Sequence, residues 1–218
     1  MKDIHIVLGA PKREKIAPLV QTDGIIIGVD RGVLFAMEEN LMVDIALGDF
    51  DSVNESEIKK IRQNNTKVLD FPSDKDDTDA ELAFDYVLKN YDTENIYVYN
   101  WYGGRVDHLY SILMLAVQKR FEALVPKLRF VTKNNFIQYY LPGSHTVHRM
   151  QDMDYLSYIL LTAVKGLTLK KVKYELSHED FEHPLALISN EFLDTEAEFS
   201  FEAGIIAAVQ SRDGKEEH

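Results

Sequence analysis

Short apolar runs recur through the first 132 positions, and between them apolar residues return every three or four places. Ile4–Leu8, Ile25–Val29, Val43–Leu47, Lys67–Phe71, Asn95–Tyr99 and Leu128–Thr132 read as strands. Gly32–Asn40, Ser56–Asn64, Thr78–Asn90 and Val106–Phe121 read as helices, and Lys12–Val20 holds a short one that Pro18 interrupts or ends. In the third of these, Leu82, Ala83, Tyr86 and Val87 share one side. Strand and helix alternating in this way predict a Rossmann-like, mostly parallel sheet with helices on both faces.

The pattern then changes. Phe136–Leu141, Thr146–His148, Leu156–Thr162, Leu167–Leu169, Val172–Leu176, Leu185–Ile188, Ala197–Phe201 and Ile205–Val209 are short strand-like runs without helical stretches between them. Glycines at 143, 166 and 204 punctuate the series. This predicts a smaller antiparallel β-sandwich or barrel, and so an α/β domain over residues 1–128 and a β-rich domain over 129–218.

Composition narrows the partners. The chain has 45% apolar and 11% aromatic residues, enough for a packed core. Its net charge of -12 disfavours a nucleic-acid binder, which shows a basic face, but not a ligand that arrives with its own cations. With no cysteine there are neither disulfides nor thiolate metal sites. Met1–Leu8 is charged too early for a signal peptide, and no apolar run is long enough to span a bilayer. The expectation is a cytoplasmic protein with no membrane association.

In parallel sheets ligands gather beyond the carboxyl ends of the strands, and the unusual residues fall there. Asp30 ends the second strand. Gly48-Asp49-Phe50-Asp51-Ser52 ends the third. Asp49 and Asp51, two apart in extended chain, project to the same side. Paired carboxylates repel unless a cation lies between them, and such oxygens suit Mg²⁺ with a phosphate substrate. An Asx turn before the next helix explains the same residues without a ligand. Lys75-Asp76-Asp77-Thr78-Asp79 opens the next helix. Acidic residues favour a helix start, but a lysine there opposes the dipole and suits a phosphate chain instead. Gly103-Gly104-Arg105-Val106-Asp107-His108 has the form of a phosphate loop feeding a helix, with Arg105 able to fork onto an anion or to make a surface ion pair.

Taken together, Asp30-Arg31-Gly32, Gly48–Ser52, Lys75–Asp79 and Gly103–His108 resemble the motifs of the thiamine pyrophosphokinase family. Gly166–Leu169, Val172-Lys173-Tyr174 and Ser189-Asn190-Glu191 extend the resemblance into the β half, over nearly the whole chain. The departures are Ile112, where the family usually has a polar amide, Val172 in place of leucine, and a short segment between Tyr174 and Ser189. The resemblance implies pyrophosphoryl transfer from ATP to the hydroxyl of thiamine, leaving AMP, with thiamine bound at a homodimer interface. Carried over, Asp49, Asp51 and Asp79 are Mg²⁺ and catalytic carboxylates, and Asp107 joins the catalytic set. Asp30, Lys75, Asp76, Thr78 and Arg105 line the nucleotide side, while Ser189, Asn190 and Tyr174 meet thiamine.

The chemistry asks for positioning and charge neutralisation more than for a strong base. Asp49 and Asp107 both remain open as acceptors of the hydroxyl proton. The competing readings are a Mg²⁺-dependent nucleotide pyrophosphatase and a non-catalytic thiamine- or nucleotide-binding protein.

Overall fold

The computed structural model describes residues 2–11, 14–50, 53–63, 66–71 and 76–214. The chain divides into two compact units, residues 1–133 and 134–218.

In the first unit the buried apolar runs become β1 (Asp3–Val7), β2 (Gly24–Val29), β3 (Ile45–Gly48), β4 (Lys67–Asp70), β5 (Ile96–Tyr99) and β6 (Leu128–Val131). They lie side by side in the order β6-β5-β1-β2-β3-β4. Every neighbouring pair among them is parallel. The chain builds outward from β1 to β4 and then returns to the other side of β1 as β5. The β1/β5 boundary is therefore a switch point, where the connections leave a crevice beyond the strand ends. Helices α1 (Arg31–Glu38), α2 (Glu55–Gln63), α3 (Asp79–Asn90) and α4 (Val106–Leu113) connect the strands.

Two local departures from the hydrophobic pattern matter. The single helix expected over 106–121 is broken: α4 ends at Leu113, and 3-10 segments Met114–Val117 and Lys119–Lys127 follow. Gln118 between them is extended, with φ -78° and ψ 118°, so the helical ladder cannot run through it. Phe121 stays buried and packs edge-on against Phe84 of α3, which explains why the period looked continuous. The stretch Ala17–Leu19, with Pro18, forms only one 3-10 turn.

The second unit holds two antiparallel sheets. The first has β7 (Asn135–Tyr140), β9 (Tyr155–Leu160), β12 (Leu185–Asn190) and β14 (Ile206–Ser211), in the order β12-β9-β14-β7. The second has β8 (Gly143–His148), β10 (Val164–Lys170), β11 (Leu176–Phe181) and β13 (Glu196–Phe201), in the order β11-β10-β13-β8. Leu156, Tyr158 and Ile206 from one sheet share a core with Leu167, Leu169 and Phe199 from the other, which makes a sandwich. The run expected as a strand over 172–176 is not one. Lys171 adopts φ 60°, and Val172 makes only an isolated bridge to Phe192. The strand begins at Leu176 instead and runs through polar residues to Phe181.

Candidate functional site

The carboxyl ends of β1, β2 and β5 and the start of α3 enclose a pocket of about 480 Å³. Leu8, Gly9, Ala10 and Pro11 wall it after β1, and Asn100, Trp101 and Tyr102 after β5. Asp30, Thr78, Asp79 and Arg105 line it, and α4 contributes Leu109 and Ile112. Ile112, the position where an amide was expected, is thus part of an apolar wall.

Asp30 is placed by its backbone. It precedes α1 at the N-cap position with φ 48° and ψ -122°, a conformation a side chain rarely tolerates, and its carboxyl makes no cap bond. Its N–H donates to Leu47 O at 2.9 Å, which ties the end of β2 to β3. The side chain turns away from the helix and towards two other acids. Carboxylate oxygens of Asp30, Asp49 and Asp79 lie within 4.8 Å of one another. Burial, then a hydrogen bond and the charge of Asp79, then the charge of Asp49, push the Asp30 carboxyl up to about 7. The Phe50 N–H opposes that rise by bonding to the carboxyl. Gly48, at the turn with φ 154°, leaves the space Asp30 occupies.

This donor set fits a hard divalent cation. Three carboxylates converge, and Asp30 Oδ1 is buried with no hydrogen-bond partner among the described residues. The same holds for Asn100 Oδ1 and Trp101 Nε1 beside the pocket. Asp30, expected on the nucleotide side, thus joins Asp49 and Asp79. Asp51 and Lys75 lie outside the described residues.

Asp79 is released for this role by its neighbours. The N-cap of α3 is Thr78, in a capping box with Glu81. Thr78 N–H and Oγ1 both donate to Glu81 Oε2 at 2.9 Å, and Glu81 N–H donates back to Thr78 Oγ1 at 3.3 Å. The cap is therefore neither Asp76 nor Asp79. Asp76 is exposed and is not among the pocket-lining residues.

Arg105 and Asp107 form an exposed ion pair at the start of α4. Hydrogen bonding to Arg105 holds the Asp107 carboxyl below its ordinary value. Arg105 faces the pocket, and Asp107 is not part of its wall.

In the second unit, Asn190 is buried and its amide is engaged at both ends. Its Oδ1 accepts from Tyr174 N–H at 2.9 Å and its Nδ2 donates to Tyr174 O at 2.9 Å. Ser189 beside it is exposed, at φ 58° on an irregularity in the pairing of β12 with β9. Tyr174 is 59% exposed.

Sequence reasoning missed the pocket wall at residues 8–11 and the strap that holds it. Asn100, at φ 53°, donates from Nδ2 to Leu8 O at 2.8 Å and Ala10 O at 3.0 Å, and its backbone carbonyl accepts from Ala10 N–H at 3.3 Å. The available signal was an asparagine directly after an apolar strand, a residue type that tolerates left-handed backbone.

Comparison with known proteins decides the family. Residues 16–125 match the model of the thiamin pyrophosphokinase catalytic domain, and residues 144–206 that of the thiamin pyrophosphokinase vitamin B1 binding domain. The chain is 31% identical to a thiamine pyrophosphokinase of Bacillus subtilis, over 98% of this chain and all 100% of that one. The chain belongs to the thiamine pyrophosphokinase family. Its activity is that of a thiamine diphosphokinase. Solved structures agree on the fold. A thiamin pyrophosphokinase family protein from Enterococcus faecalis superposes with TM-score 0.89 at 35% identity, covering 98% of this chain and 100% of that one. The Bacillus subtilis thiamine pyrophosphokinase structure gives 0.84 at 30% identity, with coverage of 98% and 100%. The mostly parallel sheet followed by an antiparallel sandwich is the architecture expected from the hydrophobic pattern. Among the described residues no helix is long and apolar enough to cross a membrane.

Proposed function

We propose that the enzyme takes ATP in the pocket at the β1/β5 switch point and transfers its terminal pyrophosphoryl group to thiamine. The observation that carries this is the convergence of Asp49 with Asp30 and Asp79, the latter two lining the cavity. These three carboxylates, with Asp51, are the residues that would hold Mg²⁺. When bound, Mg²⁺ would neutralise charge on the phosphate oxygens and so leave the β-phosphorus more open to attack. Arg105 and Lys75 meet the remaining phosphate charge, and Asp76 and Thr78 shape the loop that carries it. The thiamine hydroxyl forms a bond to the β-phosphorus, the bond between the α–β bridging oxygen and the β-phosphorus breaks, and AMP leaves with that electron pair. The hydroxyl proton passes to a carboxylate, Asp49 or Asp107. Holding the reactants in line supplies most of the acceleration.

Residues 1–128 carry this chemistry in our reading, and 129–218 bind thiamine through Ser189, Asn190 and Tyr174 and make a homodimer. Exposed apolar side chains at Tyr174, Leu185, Ile188 and Leu193 in the second unit support the pairing. A reaction that consumes ATP supports the reading of a cytoplasmic enzyme.

The test is to incubate the protein with ATP, Mg²⁺ and thiamine and to identify the products by mass. Thiamine diphosphate and AMP in equal amounts are expected. AMP and pyrophosphate formed without thiamine would mean a pyrophosphatase, and ADP with thiamine monophosphate would mean single phosphoryl transfer.

A further inference from the structure

Next to the acidic triad in sequence lies a second set of charges that does not line the pocket. The start of α3 places Asp76, Asp77, Asp79 and Glu81 within six consecutive positions. Left to themselves, these like charges splay the loop rather than aim one carboxylate at a chosen point. One guanidinium answers two of them. Arg120 Nη1 donates to Asp77 Oδ1 at 2.7 Å and to Oδ2 at 2.9 Å, and Nη2 donates to Glu81 Oε1 at 2.9 Å. Its Nε donates to Gln118 Oε1 at 2.8 Å, and Gln118 Nε2 donates to the same Glu81 Oε1 at 2.8 Å. Glu81 is buried, and its other oxygen takes both Thr78 bonds. The chain from Arg120 through Asp77, Glu81 and Thr78 therefore brackets Asp79 on both sides in sequence.

The bracket exists because the helical period breaks at Gln118. Had the helix run unbroken to Phe121, Gln118 and Arg120 would have kept helical spacing. Instead the extended Gln118 brings both side chains onto the start of α3, while Phe121 stays anchored against Phe84.

We propose that Arg120, acting with Gln118 and Glu81, is a positioning residue for the metal-binding carboxylates: by drawing Asp77 outward it turns Asp79 towards Asp30 and Asp49. It is not among the residues that line the pocket. Nη1 holds both oxygens of Asp77 while Nη2 reaches Glu81 and Nε reaches Gln118, and three partners met in one plane need a guanidinium, so lysine replaces it only in part. This inference rests on the triad binding a divalent cation.

The experiment is calorimetric titration of Mg²⁺ into the full chain, without nucleotide, for wild type, Arg120→Met, Arg120→Lys, Glu81→Gln and Asp30→Asn, with thermal unfolding and steady-state kinetics alongside. Arg120→Met and Glu81→Gln are expected to weaken Mg²⁺ binding by about ten- to a hundredfold, the usual cost of losing an outer-shell partner. Arg120→Lys is expected to recover part of that loss. In Arg120→Met the rate at saturating Mg²⁺ should return towards wild type with the thiamine KM unchanged. Folded Arg120→Met protein that binds Mg²⁺ as wild type does, while Asp30→Asn does not, overturns the positioning role and leaves the metal site standing. Equal Mg²⁺ binding by wild type and Asp30→Asn overturns the metal site itself, and this inference with it.

Discussion

Asp30 and Gly48 approach so closely that a β-carbon on Gly48 would stand 1.9 Å from Asp30 Oδ1. Nineteen residues of chain close onto this contact, since the Asp30 N–H also bonds Leu47 O across the strand pair. The missing side chain of one residue is thus what lets the other join the acidic triad.

Gly48→Ala should therefore damage the site more than the fold. The new methyl must displace the Asp30 carboxyl, and φ 154° at residue 48 adds backbone strain. Such strain costs on the order of 1–3 kcal/mol. Thermal unfolding should show a loss in that range with a cooperative transition preserved. Thiamine diphosphate formation should fall by about two orders of magnitude or more, because an ångström-scale misplacement costs roughly that much. Near-wild-type turnover in a stably folded variant would remove the Asp30–Gly48 contact from the account.

Asp30→Asn separates charge from shape. The amide is nearly isosteric but relieves the repulsion among three carboxylates within 4.8 Å. Metal-free protein should melt no lower than wild type, and the upward shift that Mg²⁺ gives wild type should disappear. Activity should fall with it. A variant that melts lower without metal and still responds to Mg²⁺ would show that Asp30 serves the fold alone.

Much of this was legible beforehand, and the reasons differ by residue. The parallel strands show as apolar runs because both their faces are buried. Asp49 and Asp79 stand out because carboxylates cluster beside them in sequence. Asp30 does not: the pattern shows that a strand ends there, and only its left-handed backbone turns the carboxyl from α1 towards the triad. The break at Gln118 was hidden for a similar reason, since it is held by Arg120 and Glu81 contacts that no local period records. Strand β11 escaped because its apolar residues, Leu176 and Phe181, lie at its two ends with Ser177–Asp180 exposed between them. The partners of Asn190 were equally invisible, since Tyr174 lies on a segment wrongly read as strand.

His5 predicts an acid limit to stability. It is buried in β1, with Nδ1 3.0 Å from Tyr99 OH, Nε2 3.3 Å from Thr22 Oγ1, and its ring stacked 5.3 Å from Tyr97. Burial lowers its pKa below 6.5, against the opposing pull of Asp3, the Thr22 hydrogen bond and Asp23. A folded value below the unfolded one favours the neutral ring in the folded state. This contribution is complete above about pH 6.5 and drains away as the pH falls below it. Unfolding midpoints measured from pH 7.5 to 5 should decline in wild type and decline less in His5→Gln. Parallel pH profiles for the two proteins would exclude His5 as the source.

Asn190→Ala should act through Tyr174. It leaves the Tyr174 N–H without its partner and removes the acceptor used by Glu191 N–H at 3.0 Å. These bonds are part-buried and each contributes about 0.5–1.5 kcal/mol, so a stability loss of about 1–3 kcal/mol in all is expected. If Tyr174 contacts thiamine, the KM for thiamine should rise about tenfold while the KM for ATP stays near wild type. Asn190→Asp keeps the acceptor but loses the donor to Tyr174 O, and should fall between the two. Equal changes in both KM values would point to a general loss of folded enzyme.

Ile188 tests the pairing of two copies. It lies on β12, an edge strand that pairs with β9, and it is 68% exposed while Leu187 beside it packs against the sandwich core. Leu193 is equally exposed at 68%, and Tyr174 at 59%. An edge strand carrying uncovered apolar side chains invites association. Burying one isoleucine contributes about 1.5–3 kcal/mol, and a C2 interface counts each substitution twice. If two copies pair as proposed, Ile188→Asp should therefore shift the protein from dimer to monomer by light scattering at micromolar concentration. Its melting temperature should then lose the dependence on protein concentration that a dimer shows. A variant that stays dimeric at the same concentration would move the interface away from β12.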